Sequence, residues 1–181
     1  MTGDTAVKLK TLGDKRFNHL MNLNRALDLE AQRCSEKRAY YAGCALKGAV
    51  LEGWLICMCY IFIDDVRNYL ADIPVKRHPK GQIWNWDLNN LIEIAKALQW
   101  LPARRGKHGP LKVADWAHLV RELRNLVHPG RHIRDYPRIR LRKAHFNIVI
   151  EVVDAVIDHL RAKIERDLLL RLKIKQRQGI R

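Results

Sequence analysis

Acidic residues are scarce in this sequence: 19 Asp and Glu stand against 34 Lys and Arg, a formal charge of +15. Such an imbalance implies an anionic partner, nucleic acid first and an anionic membrane second. No Cys-x-x-Cys pair occurs, and no histidine stands at zinc-finger spacing from Cys34, Cys44, Cys57 or Cys59. The cysteines therefore read as buried free thiols of a reducing cytoplasm, not as a metal site. No Asp/Glu/His grouping has the spacing of a metal nuclease, and no cofactor is expected. Met1 to Lys10 lacks an apolar signal core, so secretion is not expected and the cytoplasm is. The longest uninterrupted apolar run, Gly53 to Ile63, is too short to span a bilayer and ends in Asp64-Asp65. It reads as a core helix. Internal repeats and low-complexity segments are also lacking.

What is present favours one helical domain. The 181 residues are 48% hydrophobic, enough for a substantial core. Phe17, Leu20, Met21, Leu23, Leu27 and Ala31 recur at helical spacing, predicting a helix from about Lys15 to Arg33. Ser35 can cap the next one. No proline interrupts Glu36 to Ala71, where an apolar pattern from Ala42 to Ile61 predicts a long helix enclosed by others. Gly43, Gly48 and Gly53 in it allow close helix contact. Glu52 is a lone carboxylate in this belt; it either reaches the helix surface or faces a buried arginine. Ile73 to Trp86, with its prolines, reads as a loop in which Lys76 and Arg77 neighbour Trp84 and Trp86. Such a loop can hold a nucleic-acid strand by charge and stacking, or its tryptophans can anchor it on the core. Asp87 caps a short helix from Leu88 to Trp100. Pro102 to Pro110 reads as a second basic loop, with Arg104, Arg105 and Lys107 available for phosphate. A last helix is expected from Leu141 to Leu172. The predicted architecture is an all-α, up-and-down bundle of four main helices plus one short helix, spanning residues 15–172. A flexible segment, 1–14, would precede it and a basic tail, 173–181, would follow.

The stretch Arg121 to Arg131 carries the candidate chemistry. Its first eight residues can be helical, and Pro129-Gly130 would then stop the helix, leaving His128 in the last turn. At helical spacing Arg121, Arg124 and His128 share one face, bordered by Asn125. Leu123, Leu126 and Val127 point inward. Guanidinium forks bind phosphate oxygens, imidazole exchanges a proton near neutral pH, and the following turn adds Arg131 and Arg134. The same face also suits a solvated surface or a set of helix C-terminal caps.

Leu123-Arg124-Asn125-Leu126-Val127-His128-Pro129 resembles the motif helix of HEPN domains, a helical nucleic-acid-associated family of bacterial defence and toxin–antitoxin systems. Ala49-Val50-Leu51-Glu52-Gly53-Trp54-Leu55 and the segment from Leu88 to Lys96 add to the likeness, which covers about Arg25 to Leu160. The family signature is an arginine, commonly with a polar follower, then four to six residues, then histidine. Here Arg124 has its polar follower, Asn125, with three residues before His128; Arg121 has six, with Glu122 following. The resemblance implies metal-independent RNA cleavage between two subunits. His128 would move a proton during attack by the ribose 2′-OH, Arg121 or Arg124 would steady phosphoryl charge, and Asn125 would orient phosphate or imidazole. It equally allows a non-catalytic module of the same fold that binds RNA, DNA or a partner protein. A homodimer, RNA and an acidic antitoxin are the partners to expect.

Overall fold

The computed structural model describes residues 13–101, 103–106, 109–135 and 138–177. Among them are seven α-helices and one two-stranded hairpin, so the architecture is all-α in character. The expected four main helices plus one short one undercount it.

A central helix, α2 (Tyr40–Ile61), organises the rest. It is apolar around most of its circumference and, by length and composition, long and apolar enough to cross a membrane; in this fold most of that span is buried against its neighbours. α1 (Asp14–Glu36) lies against it as the other arm of a helical hairpin. Asn24 and Ala31 of α1 are buried at the contact, with Leu20, Met21 and Leu27 packing beside them. Ser35 does not start α2. It closes α1 instead: its carbonyl accepts from Arg38 N–H, while Ala39 N–H donates to Cys34 O. Arg38 takes the left-handed conformation (φ 57°) in which helices commonly end.

The three glycines of α2 are notches for three different helices. A Cβ on Gly43 would meet the Phe146 ring at 2.6 Å, and one on Gly48 would meet the Arg124 stem at 2.8 Å. One on Gly53 would collide with Asn24. Spaced five residues apart, successive glycines point about 140° from each other, and the first and third about 80°, around an axis with 3.6 residues per turn. Phe146 belongs to α7 (Lys143–Arg177), Arg124 to α5 (Val113–Asn125) and Asn24 to α1. Close contact was the expectation for these glycines, and the structure gives each a separate neighbour.

α2 covers the Ala42 to Ile61 pattern, and the proline-free stretch to Ala71 breaks at Phe62 without proline or glycine. Phe62 leaves helical geometry (φ −109°, ψ 42°), and α3 (Ile63–Asp72) starts anew with Asp64 and Asp65 in its first turn. Carboxylates are favoured at a helix N-terminus. The Phe62 ring is buried against Trp100, 5.7 Å between centroids, which holds the corner. The loop that follows contains two 3-10 turns, Val75–Arg77 and Ile83–Asn85. α4 (Leu88–Ala97) is capped as expected, Asn90 N–H donating to Asp87 Oδ1 at 2.8 Å.

Pro102 to Pro110 is not a plain loop. Its described residues build a hairpin, β1 (Ala103–Gly106) against β2 (Gly109–Lys112), paired Gly106 to Gly109. Glycines flanking a two-residue connection suit a tight hairpin. α7 runs to Arg177, beyond the expected end at Leu172, and its Val149, Val153, Val156 and Leu160 seal the core.

All four cysteines are free, three of them buried. Burial pushes Cys44 and Cys57 up to about 12 and raises Cys59 as well, so these thiols stay uncharged near neutral pH.

Candidate nucleic-acid interface

The expected helix through His128 stops three residues early. α5 ends at Asn125, and Leu126 to His128 turn before α6 (Pro129–Asp135) begins. Pro129 starts this helix instead of ending the previous one, a place where its missing N–H costs nothing. His128 precedes it, its carbonyl accepting from His132 N–H at 2.9 Å. The physical reason is local: proline restricts the residue before it from helical angles.

This break separates the four candidate residues. Arg121 reaches α4, donating to Asn89 Oδ1 at 2.8 Å, and pairs with Glu122. Arg124 crosses Gly48 and pairs with Glu52 of α2, so that carboxylate faces an arginine, but a partly exposed one and not a buried one. Their side chains are 28% and 32% exposed, so both guanidiniums are held within the chain without being sealed from water. Asn125 is half-buried and His128 exposed; neither side chain has a hydrogen-bond partner among the described residues. The open front of two guanidiniums expected from the sequence is thus replaced by two engaged arginines beside an unengaged amide and imidazole.

The exposed cations gather one step further along. From Leu126 to His145 the sequence has six Lys and Arg and one acid, Asp135. Arg131, Arg134, Arg138, Arg140, Arg142 and Lys143 are all exposed. Arg134 is held by Asp135 through two hydrogen bonds, of 2.6 and 3.0 Å. This bond keeps the Asp135 carboxyl below its usual range and raises the guanidinium. Asp135 also feels the charge of Arg131, whereas Arg138, Arg140, Arg142 and Lys143 have no carboxylate partner among the described residues.

Tyr41 of α2 gathers these segments. Its hydroxyl donates to Ile139 O at 3.5 Å and accepts from Leu141 N–H at 3.3 Å. Its ring lies 6.0 Å from that of His132 in α6. His132 in turn uses Nδ1 against Leu126 O at 3.2 Å, so that nitrogen carries the proton. Tyr41 and His132 together therefore tie the turn after α5, α6 and the approach to α7 to one another. At the start of α7, His145 Nδ1 accepts from Arg142 N–H at 3.1 Å, half of a capping box.

The remaining candidates lie elsewhere. Lys76 and Arg77 are exposed on the first 3-10 turn. Trp86 is a buried anchor whose Nε1–H donates to Gly81 O at 3.3 Å, whereas Trp84 is 41% exposed. Arg104 and Arg105 are placed in β1, and Lys107 lies outside the described residues.

Sequence reasoning missed Lys47. It is 2% exposed, bonded to Asp28 of α1 at 2.6 Å and Asp154 of α7 at 2.8 Å. Burial works against its charge, but the hydrogen bonds and charges of Asp154 and Asp28 prevail and raise its pKa above the usual lysine value. A lone lysine within the apolar Ala45 to Leu51 was the available signal. Tyr41 carried none, because its partners lie about a hundred positions away.

Comparison with family models, characterised proteins and solved structures finds no match to this chain.

Proposed function

We propose that this is an HEPN-like, RNA-associated helical protein that grips the phosphate backbone at the corner formed by α6 and the entry to α7. The observation that carries the reading is the run of exposed cations from Arg131 to Lys143, most of them without a carboxylate partner among the described residues, on segments that Tyr41 touches at His132, Ile139 and Leu141. Phosphate contacts of this kind release counterions, and each costs a single-stranded ligand a slope of about −0.7 in log affinity against log salt. The likeness of the Arg124-Asn125…His128 stretch to HEPN motifs supports RNA as the polymer.

A second reading, cleavage, is favoured by one observation: beside Arg124, the side chains of Asn125 and His128 have no hydrogen-bond partner among the described residues. Cleavage would use the ribose 2′-OH as nucleophile and His128 as proton carrier, with a second copy supplying the partner imidazole. Arg124 would have to exchange Glu52 for phosphate. The engaged guanidiniums make binding the better-supported function.

Both readings meet in one experiment. Purified full chain and His128→Ala are incubated with end-labelled RNA over a salt series, with and without chelator. Salt-sensitive binding by both proteins, without product, supports the binder. A 2′,3′-cyclic phosphate product made by the wild type alone, chelator present, transfers the conclusion to cleavage. RNA left unbound at low salt overturns both.

A further inference from the structure

We infer that the cleft at the other end of α2 binds an unpaired nucleobase carrying its 5′-phosphate. The cleft has a volume of about 390 Å³ and is lined by Lys15, Arg16 and His19 of α1, Ile56 and Tyr60 of α2, and Trp84. Tyr41 and Tyr60 are 19 residues apart on one helix, so the cleft stands about 28 Å from the basic corner at 1.5 Å per residue.

Its construction is that of a stacking site. Trp84 and Tyr60 are nearly parallel, with rings 15° apart and centroids 6.3 Å apart. Trp84 leaves 41% of itself in solvent, although Trp86, two residues on, is buried. Arg16 holds its guanidinium 5.9 Å from the Trp84 ring, where a planar cation can cover the aromatic face or swing to a phosphate. Lys15 and His19 add donors on the same helix, and no carboxylate lines the cleft among the described residues.

Tyr60 supplies the second, independent observation. It is 8% exposed, its hydroxyl is shut off from solvent, and that hydroxyl has no partner among the described residues. Burial, with a smaller contribution from Cys59 and against the pull of Arg16, pushes the phenol up to about 12, so it keeps its proton. A buried donor without an acceptor is unfavourable; because this hydroxyl is closed to solvent, a base would relieve it by drawing the Tyr60 ring toward the opening, where the base's polar edge can accept from it. Aromatic floor, cationic rim and unpaired donor together match a base and its phosphate better than a purely apolar guest, which would leave Lys15 and Arg16 unused.

The nucleotide can be free or part of a strand. The strand source rests on the RNA reading proposed above; the free nucleotide does not. The test titrates full-length protein with AMP, adenosine and a short unstructured oligoadenylate by calorimetry. The variants are Trp84→Ala, Trp84→Phe, Arg16→Ala and the corner double variant Arg140→Ala/Arg142→Ala.

Saturable AMP binding is expected to weaken about tenfold in Trp84→Ala, the loss of one stacked base. It should persist in Trp84→Phe, and Arg16→Ala should erase the preference for AMP over adenosine. Trp84→Phe and Arg16→Ala keep the test decisive if Trp84→Ala unfolds. Oligoadenylate bound where AMP is not, and lost with Trp84→Ala, assigns the cleft to a strand. AMP binding that survives in the corner variant while RNA binding never appears retains the cleft and removes the RNA reading. RNA binding lost in the corner variant but unchanged in Trp84→Ala, with AMP unbound, removes the cleft and retains that reading. No saturable binding of any of the three ligands overturns the inference.

Discussion

Lys47 and Arg124 both bring a cation to the middle of α2, and they are held in opposite ways. Lys47 leaves α2 and is enclosed, with a carboxylate from α1 and another from α7 closing on it. Arg124 arrives from α5 over a glycine, meets one carboxylate, and keeps about a third of its side chain in water. The first joins three helices and has no path to a ligand. The second is a single pair at the rim of an exposed corner, where another anion could compete for the guanidinium. Burial and number of partners, not the presence of an ion pair, separate a clamp from a site.

The largest effect should come from the clamp. Lys47→Met keeps the stem and removes the charge, leaving Asp28 and Asp154 facing each other. A broken buried pair typically costs 3–5 kcal/mol; since both carboxylates reach solvent, the lower end applies, about 3 kcal/mol in urea unfolding. A loss under roughly 1 kcal/mol would place Lys47 with ordinary surface pairs. Gly48→Ala should cost about 2 kcal/mol, because the new methyl falls on the Arg124 stem and overpacks the α2–α5 contact. Its RNA affinity should change with it, whereas Lys47→Met should leave RNA affinity per folded molecule unaltered.

Alkali probes the interior that surrounds the clamp. Cys44 and Cys57 have folded pKa values raised from 9.0 to about 12, so their contribution is complete below pH 9 and is lost as the pH climbs toward 12. Lys47, also raised, adds its own loss only above 10.5, as pH passes through its folded value. Unfolding free energies at pH 8 and pH 10 should differ by about 1 kcal/mol for each of the three raised thiols, Cys44, Cys57 and Cys59, and Cys57→Ala should remove about a third of the difference. An identical value at both would show the thiols hydrated.

The smallest change in stability should follow Glu52→Gln, under about 1 kcal/mol for a pair so exposed. It is also the sharpest probe of the rim. Releasing Arg124 should tighten RNA binding severalfold at low salt and steepen the salt slope by about 0.7, one added phosphate contact. Unchanged affinity and slope would make the Arg124–Glu52 pair purely structural.

The sequence showed most of what is local. Helical periodicity located α1, the core of α2 and α4, and Asp87 announced its own cap three residues from the N–H it accepts. The breaks were harder to see. Phe62 departs from the helix because of a packing surface, not because of its own residue type, and the hairpin at Ala103–Lys112 is set by pairing that basic composition conceals. Of the site, the residue types were legible and their engagements were not. Arg124 finds Glu52 72 positions away and Arg121 finds Asn89 32 away; Lys47 finds Asp154 across 107. Separations of that size carry no periodicity, and spacing along α5 alone could not reveal that its arginines were already occupied. The proline that seemed to end one helix begins another, since either role satisfies its fixed angle and missing donor.

The staggered glycines give α2 one more property. Because each receives a different neighbour, the helix behaves like an axle with three keyways: turning or sliding it must unseat Phe146, Arg124 and Asn24 at once. An alteration on a single flank, by contrast, meets only its own slot. Such a spindle tolerates drift in one surrounding helix at a time while holding its two ends, the basic corner and the tryptophan cleft, at a fixed separation.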